Sequence, residues 1–346
     1  MQRYARVRVR VLLAVVLSLL ALLPAAAQAP RQRTIPLRMY SSLFFWTPTA
    51  GWVADINDLI LTRDGGQTWT ILLSVYGGPP RLEKVGRIEA RDAALWWFED
   101  DEAVWLTSTG GQNWTTWPKL LLHPDGTPEA SVGQVVPVSP TEAWGIETST
   151  REALRHTVDG GRTWARVLLP TSGLTRVNLQ RLAFPSAQVG WVVLTSGHTF
   201  HTLDGGATWE RRGQTPRPLL QFRPLDAQVA WAIDLRGVQV FRTTDGGATW
   251  QTSLPPLPQG DVLAGIFALD ATMAWAVGLH GVLVATTDGG QIWQPQASGT
   301  PYTLEAVHFT DPQHGWAVGE ANTILRTTDG GQTWSKVADD MKNWQP

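Results

Sequence analysis

Seven copies of one octapeptide constrain this chain more than any other feature. They read TRDGGQTW (62–69), TSTGGQNW (107–114), TVDGGRTW (157–164), TLDGGATW (202–209), TTDGGATW (243–250), TTDGGQIW (286–293) and TTDGGQTW (327–334). A catalytic or metal centre is ordinarily singular, so sevenfold repetition argues for scaffolding. The closing tryptophans are Trp69, Trp114, Trp164, Trp209, Trp250, Trp293 and Trp334, separated by 41 to 50 residues. That is the period of solenoids and propellers. A second tryptophan precedes each by 17 to 20 residues: Trp52, Trp97, Trp144, Trp191, Trp231, Trp275 and Trp316.

The last unit shows what one repeat encodes. LEAVHF (304–309) alternates like a strand, DPQHG turns, and GWAVG (315–319) and TILRTT (323–328) follow as two more strands. The DGGQ hairpin then leads into TWSKV (333–337), and nothing has helical periodicity. Four antiparallel strands per repeat make a propeller blade. The expected fold is all-β, a seven-bladed β-propeller over 37–338 with the box hairpin between strands three and four of each blade. Blade 1 runs from about Leu37 to Ser74 and blade 7 from about Leu304 to Val337. Both end blades hold four strands in sequence order, so no strand exchange is evident and closure stays open.

Each box has a mechanical reading. The glycines supply left-handed backbone positions. Asp64, Asp159, Asp204, Asp245, Asp288 and Asp329 accept backbone N–H groups and fasten the turn. The seven closing tryptophans wedge against a neighbouring sheet. Blade 2 departs, with Thr109 for the aspartate and Asn113 for the threonine, and blade 6 carries Ile292. Those two turns should be held less firmly. DGG lacks the alternating acidic ligands of a calcium loop, so no metal is expected.

The N-terminus is a separate object. Arg3, Arg6, Arg8 and Arg10 precede an apolar run, VLLAVVLSLLALL (11–23), and the small residues of AAAQA. This predicts a signal peptide over 1–27 and a linker over 28–36, with a tail at 339–346. An uncleaved anchor is the alternative. The expected location is exported: periplasmic, extracellular or lumenal. Loss of those four arginines would take the formal charge from −2 to −6, a poor balance for binding nucleic acid. With no cysteine in the chain, disulfides, thiol catalysis and cysteine-ligated metals are excluded.

The box pattern Ser/Thr-x-Asp-x-Gly-x-Thr-Trp resembles the Asp-box, or BNR, repeat of the sialidase-type superfamily. AGWVAD…LTRDGGQTW (50–69), MAWAVGLHGVLVATTDGGQIW (273–293) and HGWAVGEANTILRTTDGGQTW (314–334) resemble one branch of it, the photosystem II stability/assembly factor family of exported propellers. The resemblance implies a non-enzymatic, monomeric protein-binding scaffold without cofactors that engages a membrane-complex subunit.

On such a scaffold, function belongs to loops that break the repeat. The run ERRGQTPRPLLQFR (210–223) reads as an interblade connector carrying Arg211, Arg212, Arg217 and Arg223, with Arg236 in a nearby loop. Arginines grip carboxylates through bidentate hydrogen bonds. Tyr76, His123 and Tyr302 are further loop residues on the same face. The competing reading is a glycan-binding or glycoside-hydrolase-like Asp-box propeller, using Asp55 or Asp58 with Glu99 or Asp101 as paired acids.

Overall fold

The computed structural model describes residues 38–74, 88–122 and 128–337. The signal segment, the linker, Tyr76, His123 and the tail lie outside the described residues. Among the described residues no helix is long and apolar enough to cross a membrane.

The described chain forms seven antiparallel sheets, arranged as a seven-bladed propeller. Blade 1 is made of Ser42–Phe45, Gly51–Ala54, Asp58–Thr62 and Thr70–Ser74, each hydrogen-bonded to the next. The innermost strands of blades 2 to 7 are Glu89–Ala90, Pro128–Pro137, Leu179–Ala183, Leu219–Pro224, Leu263–Ala268 and Leu304–Phe309. Blade 7 has LEAVHF and GWAVG as its first two strands, as its alternation predicts. Blade 3 adds a fifth strand, Leu120–Leu122, pairing with the early part of its long inner strand.

The second strands are buried except at Glu99, and their tryptophans lie in the interblade cores. Trp52, Trp144, Trp191, Trp231, Trp275 and Trp316 are at most 2% exposed, and Trp97 6%. In two blades the box tryptophan meets the preceding blade's second-strand tryptophan edge-on, Trp209 against Trp144 and Trp293 against Trp231, while Trp114, Trp250 and Trp334 meet Phe98, Phe222 and Phe309 of their own blades. In blades 1, 4, 5 and 6 the box's second glycine lies against the second-strand tryptophan of the adjoining blade. A Cβ on Gly206 would come within 2.1 Å of Trp144, and one on Gly247 within 2.9 Å of Trp191.

The box turn is a closed hydrogen-bond circuit. The Thr202 hydroxyl donates to Asp204 Oδ1 (2.7 Å), and Thr208 donates its N–H to Oδ1 (2.9 Å) and its hydroxyl to Oδ2 (2.6 Å). Asp64, Asp159, Asp245 and Asp329 repeat these bonds. The threonine bonds hold the carboxyls of Asp159, Asp204 and Asp329 down at about 2. Asp288 has no hydroxyl partner at Ile292, and Thr109 offers one oxygen where an aspartate offers two. Both departures cost contacts.

Among the described residues every blade keeps its own strands in chain order, and direct contacts join blade 7 to blade 1. Asn322 accepts from the Arg38 N–H at 2.7 Å and donates its own N–H to the Arg38 carbonyl, while Tyr40 N–H reaches the Gly319 carbonyl. Phe45 stacks on Trp316 at 4.1 Å, and Arg326 donates to the Gly65 carbonyl. The buried Arg38 guanidinium pairs with Asp58 at 2.6 Å and faces Asp55 at 3.6 Å.

Two faces follow from these connections. In all seven blades the first box glycine donates its N–H to the turn between strands one and two, so these turns share one face. The interblade connectors bond instead to the loops between strands two and three, as in Leu235 N–H to the Pro218 carbonyl. They form the opposite face.

Candidate partner-binding surface

The run 210–223 is not one connector. Glu210–Gln214 is the outer strand of blade 4 and Leu219–Pro224 the inner strand of blade 5. The outer strand faces solvent and needs no apolar alternation, which is why it reads as loop. Only Thr215–Pro218 links the blades, and the Thr215 hydroxyl ties that turn to the Gly197 and Arg217 carbonyls.

The arginines separate accordingly. Arg212 is a structural brace between blades, donating to the Gly246 and Asp245 carbonyls and pairing with Glu210. Arg223 lies on the wall of the central channel with its guanidinium 4.7 Å above the Phe267 ring. Arg211, Arg217 and Arg236 remain exposed. The Arg211 charge, added to burial, lowers the His198 pKa, so it stands beside the second-to-third-strand loop of blade 4.

Two more arginines belong with these three. Arg151 is exposed in the corresponding loop of blade 3, at φ 55°, and Arg176 is exposed in the connector from blade 3 to blade 4. The loops are stitched consecutively: Leu179 N–H to the Arg151 carbonyl, Thr195 to Asn178, Thr215 to Gly197, and Leu235 to Pro218. Arg151, Arg176, Arg217 and Arg236 therefore share the connector face of blades 3 to 5, with Arg211 beside it on the outer strand of blade 4. Among the described residues none of the five makes an ion pair. Exposed Leu168 and Leu235 sit on the same loops. Arg176 lacks any arginine neighbour in sequence. Only the recurrence of connectors at fixed places in the repeat would have singled it out.

The acids of blades 1 and 2 are differently disposed. Asp55 and Asp58 face Arg38, and Asp55 also accepts the N–H groups of Asn57 and Asp58. Glu99 holds Lys119 at 3.1 Å and the Val135 N–H at 2.7 Å; burial nevertheless raises its pKa. Asp100 accepts the Trp105 indole N–H at 2.6 Å. Asp55, Asp58 and Glu99 are occupied by turn-forming and charge-pairing bonds, and Asp101 is exposed in the turn beside Asp100. A hydrolase pair needs an acid and a base facing a common substrate.

The geometry defines a class: a seven-bladed Asp-box propeller with an arginine-lined loop face. A family model described as photosynthesis system II assembly factor YCF48 matches residues 134–256 and 297–344. Through its repeats, this match and its fold, the chain is recognised as a YCF48-like propeller. A solved structure of YCF48 bound to D1 peptide is 21% identical, with TM-score 0.59 over 85% of this chain and 93% of that one. YCF48 from Cyanidioschyzon merolae is 17% identical, with TM-score 0.62 over 85% and 97%. An ancestral GH74 enzyme is 12% identical, with TM-score 0.58 over 88% of this chain and 47% of its own. At these identities the structural likenesses speak for the fold. No curated protein matches the sequence.

Proposed function

We propose that this chain is an exported, non-catalytic, monomeric scaffold of the assembly-factor type. Its connector face over blades 3 to 5 binds an acidic segment of a membrane-complex subunit. The observation that carries this reading is a set of five exposed arginines without ion-pair partners among the described residues, four on consecutive loops of three adjacent blades and Arg211 on the outer strand beside them. Guanidinium forks match carboxylates bidentately and recognise them in a defined orientation. Leu168 and Leu235 add apolar contact beside the charges. The match to the YCF48 family and the peptide-bound relative support a protein client. The N-terminal segment supports export.

Affinity capture from membrane extract tests the proposal. The bait is the tagged chain, with a parallel bait bearing Arg151, Arg176, Arg211, Arg217 and Arg236 changed to alanine. A third bait carries Arg63→Ala and Arg162→Ala on the box face. A membrane-complex subunit retained by the first and third baits and lost by the second is the expected result. Equal capture by all three would move the interface elsewhere. Capture of glycan without protein would favour the carbohydrate-binding alternative.

A further inference from the structure

The central channel carries a second candidate site, and its residues occupy one register position in all seven blades. The inner-strand residue paired with the second-strand tryptophan is Phe44, Glu89, Val136, Ala183, Arg223, Phe267 and His308 in blades 1 to 7. The pairing is made by backbone, so these side chains are not needed to hold the sheet. Apart from the two phenylalanines, they differ in size, polarity and charge. Six of them, all but Val136, line a cavity of about 420 Å³.

Within that layer one side is built unlike a structural wall. His308 is only 7% exposed, and its Nδ1 is buried with no hydrogen-bond partner. Its ring is held between Phe44, edge-on at 5.1 Å, and Phe267 at 4.5 Å. Burial, assisted by the Arg223 charge, depresses its pKa to about 3, so the imidazole is neutral and can donate one N–H. Arg223 is exposed to the channel with its guanidinium over the same Phe267 ring. A planar fork of five donors can serve a partner in the wall and a ligand together. Two phenyl faces, a positive fork and an unpartnered imidazole thus converge. Orphaned polar atoms beside a cavity are costly unless something completes them.

We infer that the channel binds a small aromatic or apolar carboxylate, its anionic end between Arg223 and His308 and its body against Phe44 and Phe267. This site goes beyond the connector-face proposal and does not depend on it. Glu89, in the same layer, disfavours a second negative charge on the ligand, and Arg181 and Glu305 are the remaining charged side chains of the lining.

Calorimetric titration of the purified chain with phenylacetate at pH 7 tests this, with phenethylamine as the cation of matched shape. Saturable binding of phenylacetate and none of phenethylamine is expected. Arg223→Gln should weaken binding about 10- to 100-fold, as loss of a charge-assisted hydrogen bond does. His308→Gln should weaken it about 2- to 10-fold, the range for a neutral bond. Arg223→Lys, which keeps charge without the fork, should fall between Arg223→Gln and the parent chain. Glu89→Gln should leave binding intact or tighten it. Absence of saturable phenylacetate binding, or equal affinity in a folded Arg223→Gln protein, would overturn the site. The five-arginine capture variant should bind phenylacetate normally, which keeps the two proposals separable.

Discussion

Replacing Gly206 by alanine tests whether the box glycine is required for its backbone angle or for the approach of the neighbouring blade. Gly206 sits at φ +95°, where an L-residue is strained, and an added Cβ would stand 2.1 Å from Trp144 Cζ2. Gly173 has a similar angle, φ +79°, with nothing within 4 Å of the added atom. The angle alone costs about 1–2 kcal/mol for a side chain with a Cβ. Reduced freedom of the unfolded chain returns about 0.4–1 kcal/mol in both variants. Overpacking against a ring that is 1% exposed adds about 1–3 kcal/mol, at Gly206 only. Gly173→Ala should therefore destabilise by about 1 kcal/mol, and Gly206→Ala by about 2–4 kcal/mol. Urea unfolding followed by far-ultraviolet circular dichroism measures both. Gly205→Ala, whose Cβ would meet the Ala187 carbonyl at 3.2 Å, should lie between them. Equal losses at Gly206 and Gly173 would refute the reasoning, because the glycine would then be a matter of dihedral preference and not of interblade contact.

Other outcomes follow from the same geometry. Arg38→Ala strands the Asp58 carboxylate, which is 2% exposed, and should cost about 3–5 kcal/mol by denaturant titration; Asp58→Asn in the same chain should recover much of it. The box aspartates Asp159, Asp204 and Asp329 titrate near 2 when folded, below the ordinary carboxylate value. Their contribution is present above the unfolded pKa and lost as pH falls from about 4 toward 2, so melting temperature should drop there and drop less in Asp204→Asn. His308 is depressed to about 3, so the unfolded state binds more protons between that value and its ordinary 6.5. Stability should decline as pH falls below about 6.5, and His308→Gln should flatten the melting curve between pH 6.5 and 4.5. Thr109→Asp with Asn113→Thr restores the missing acceptor and hydroxyl in blade 2 and should raise the melting temperature; an unchanged value would mean that the turn is already held by Thr107 and the Asn113 N–H.

The repeat was legible because each of its marks answers to one physical demand. The tryptophan in GWAVG is buried, the glycines of DGG sit at positive φ, and the aspartate closes a turn that side chains alone can be seen to favour. LEAVHF reads as a strand because it lies between two packed blades and must present apolar residues to them. Glu210–Gln214 does not, since its burial pattern is mostly exposed and solvent imposes no period. The same difficulty hid the position of Arg223, which depends on a register shift between Leu219 and Gln221 in the inner strand. A one-residue bulge changes which side chains reach the channel, and no composition signal marks it. The arginine face was legible only in part. Arg217 and Arg236 are 19 residues apart in sequence, and the Pro218–Leu235 hydrogen bond that joins their loops appears only in three dimensions.

The scaffold also explains where this chain is free to specialise. The bonds that repeat around the ring engage backbone groups: box glycine to turn carbonyl, and connector to loop. Higher on the channel wall the side chains themselves join blades, with Gln134 donating to the Leu182 carbonyl, Gln180 to Leu219, Arg181 to Leu220 and Gln221 to Ala264. Those residues cannot change without loosening a neighbour. At the layer opposite the tryptophans the contacts across blades differ from blade to blade, with Arg223 over Phe267 and His308 between Phe267 and Phe44, and there six residue types occupy seven equivalent positions. Dissimilar side chains at equivalent positions mean that the repeat does not fix them. The connector loops are in the same condition, carrying arginines on three blades and none of the box's constraints. Two surfaces that the repeat leaves free to vary are the ones on which recognition can be built, one facing outward to a macromolecule and one facing the channel.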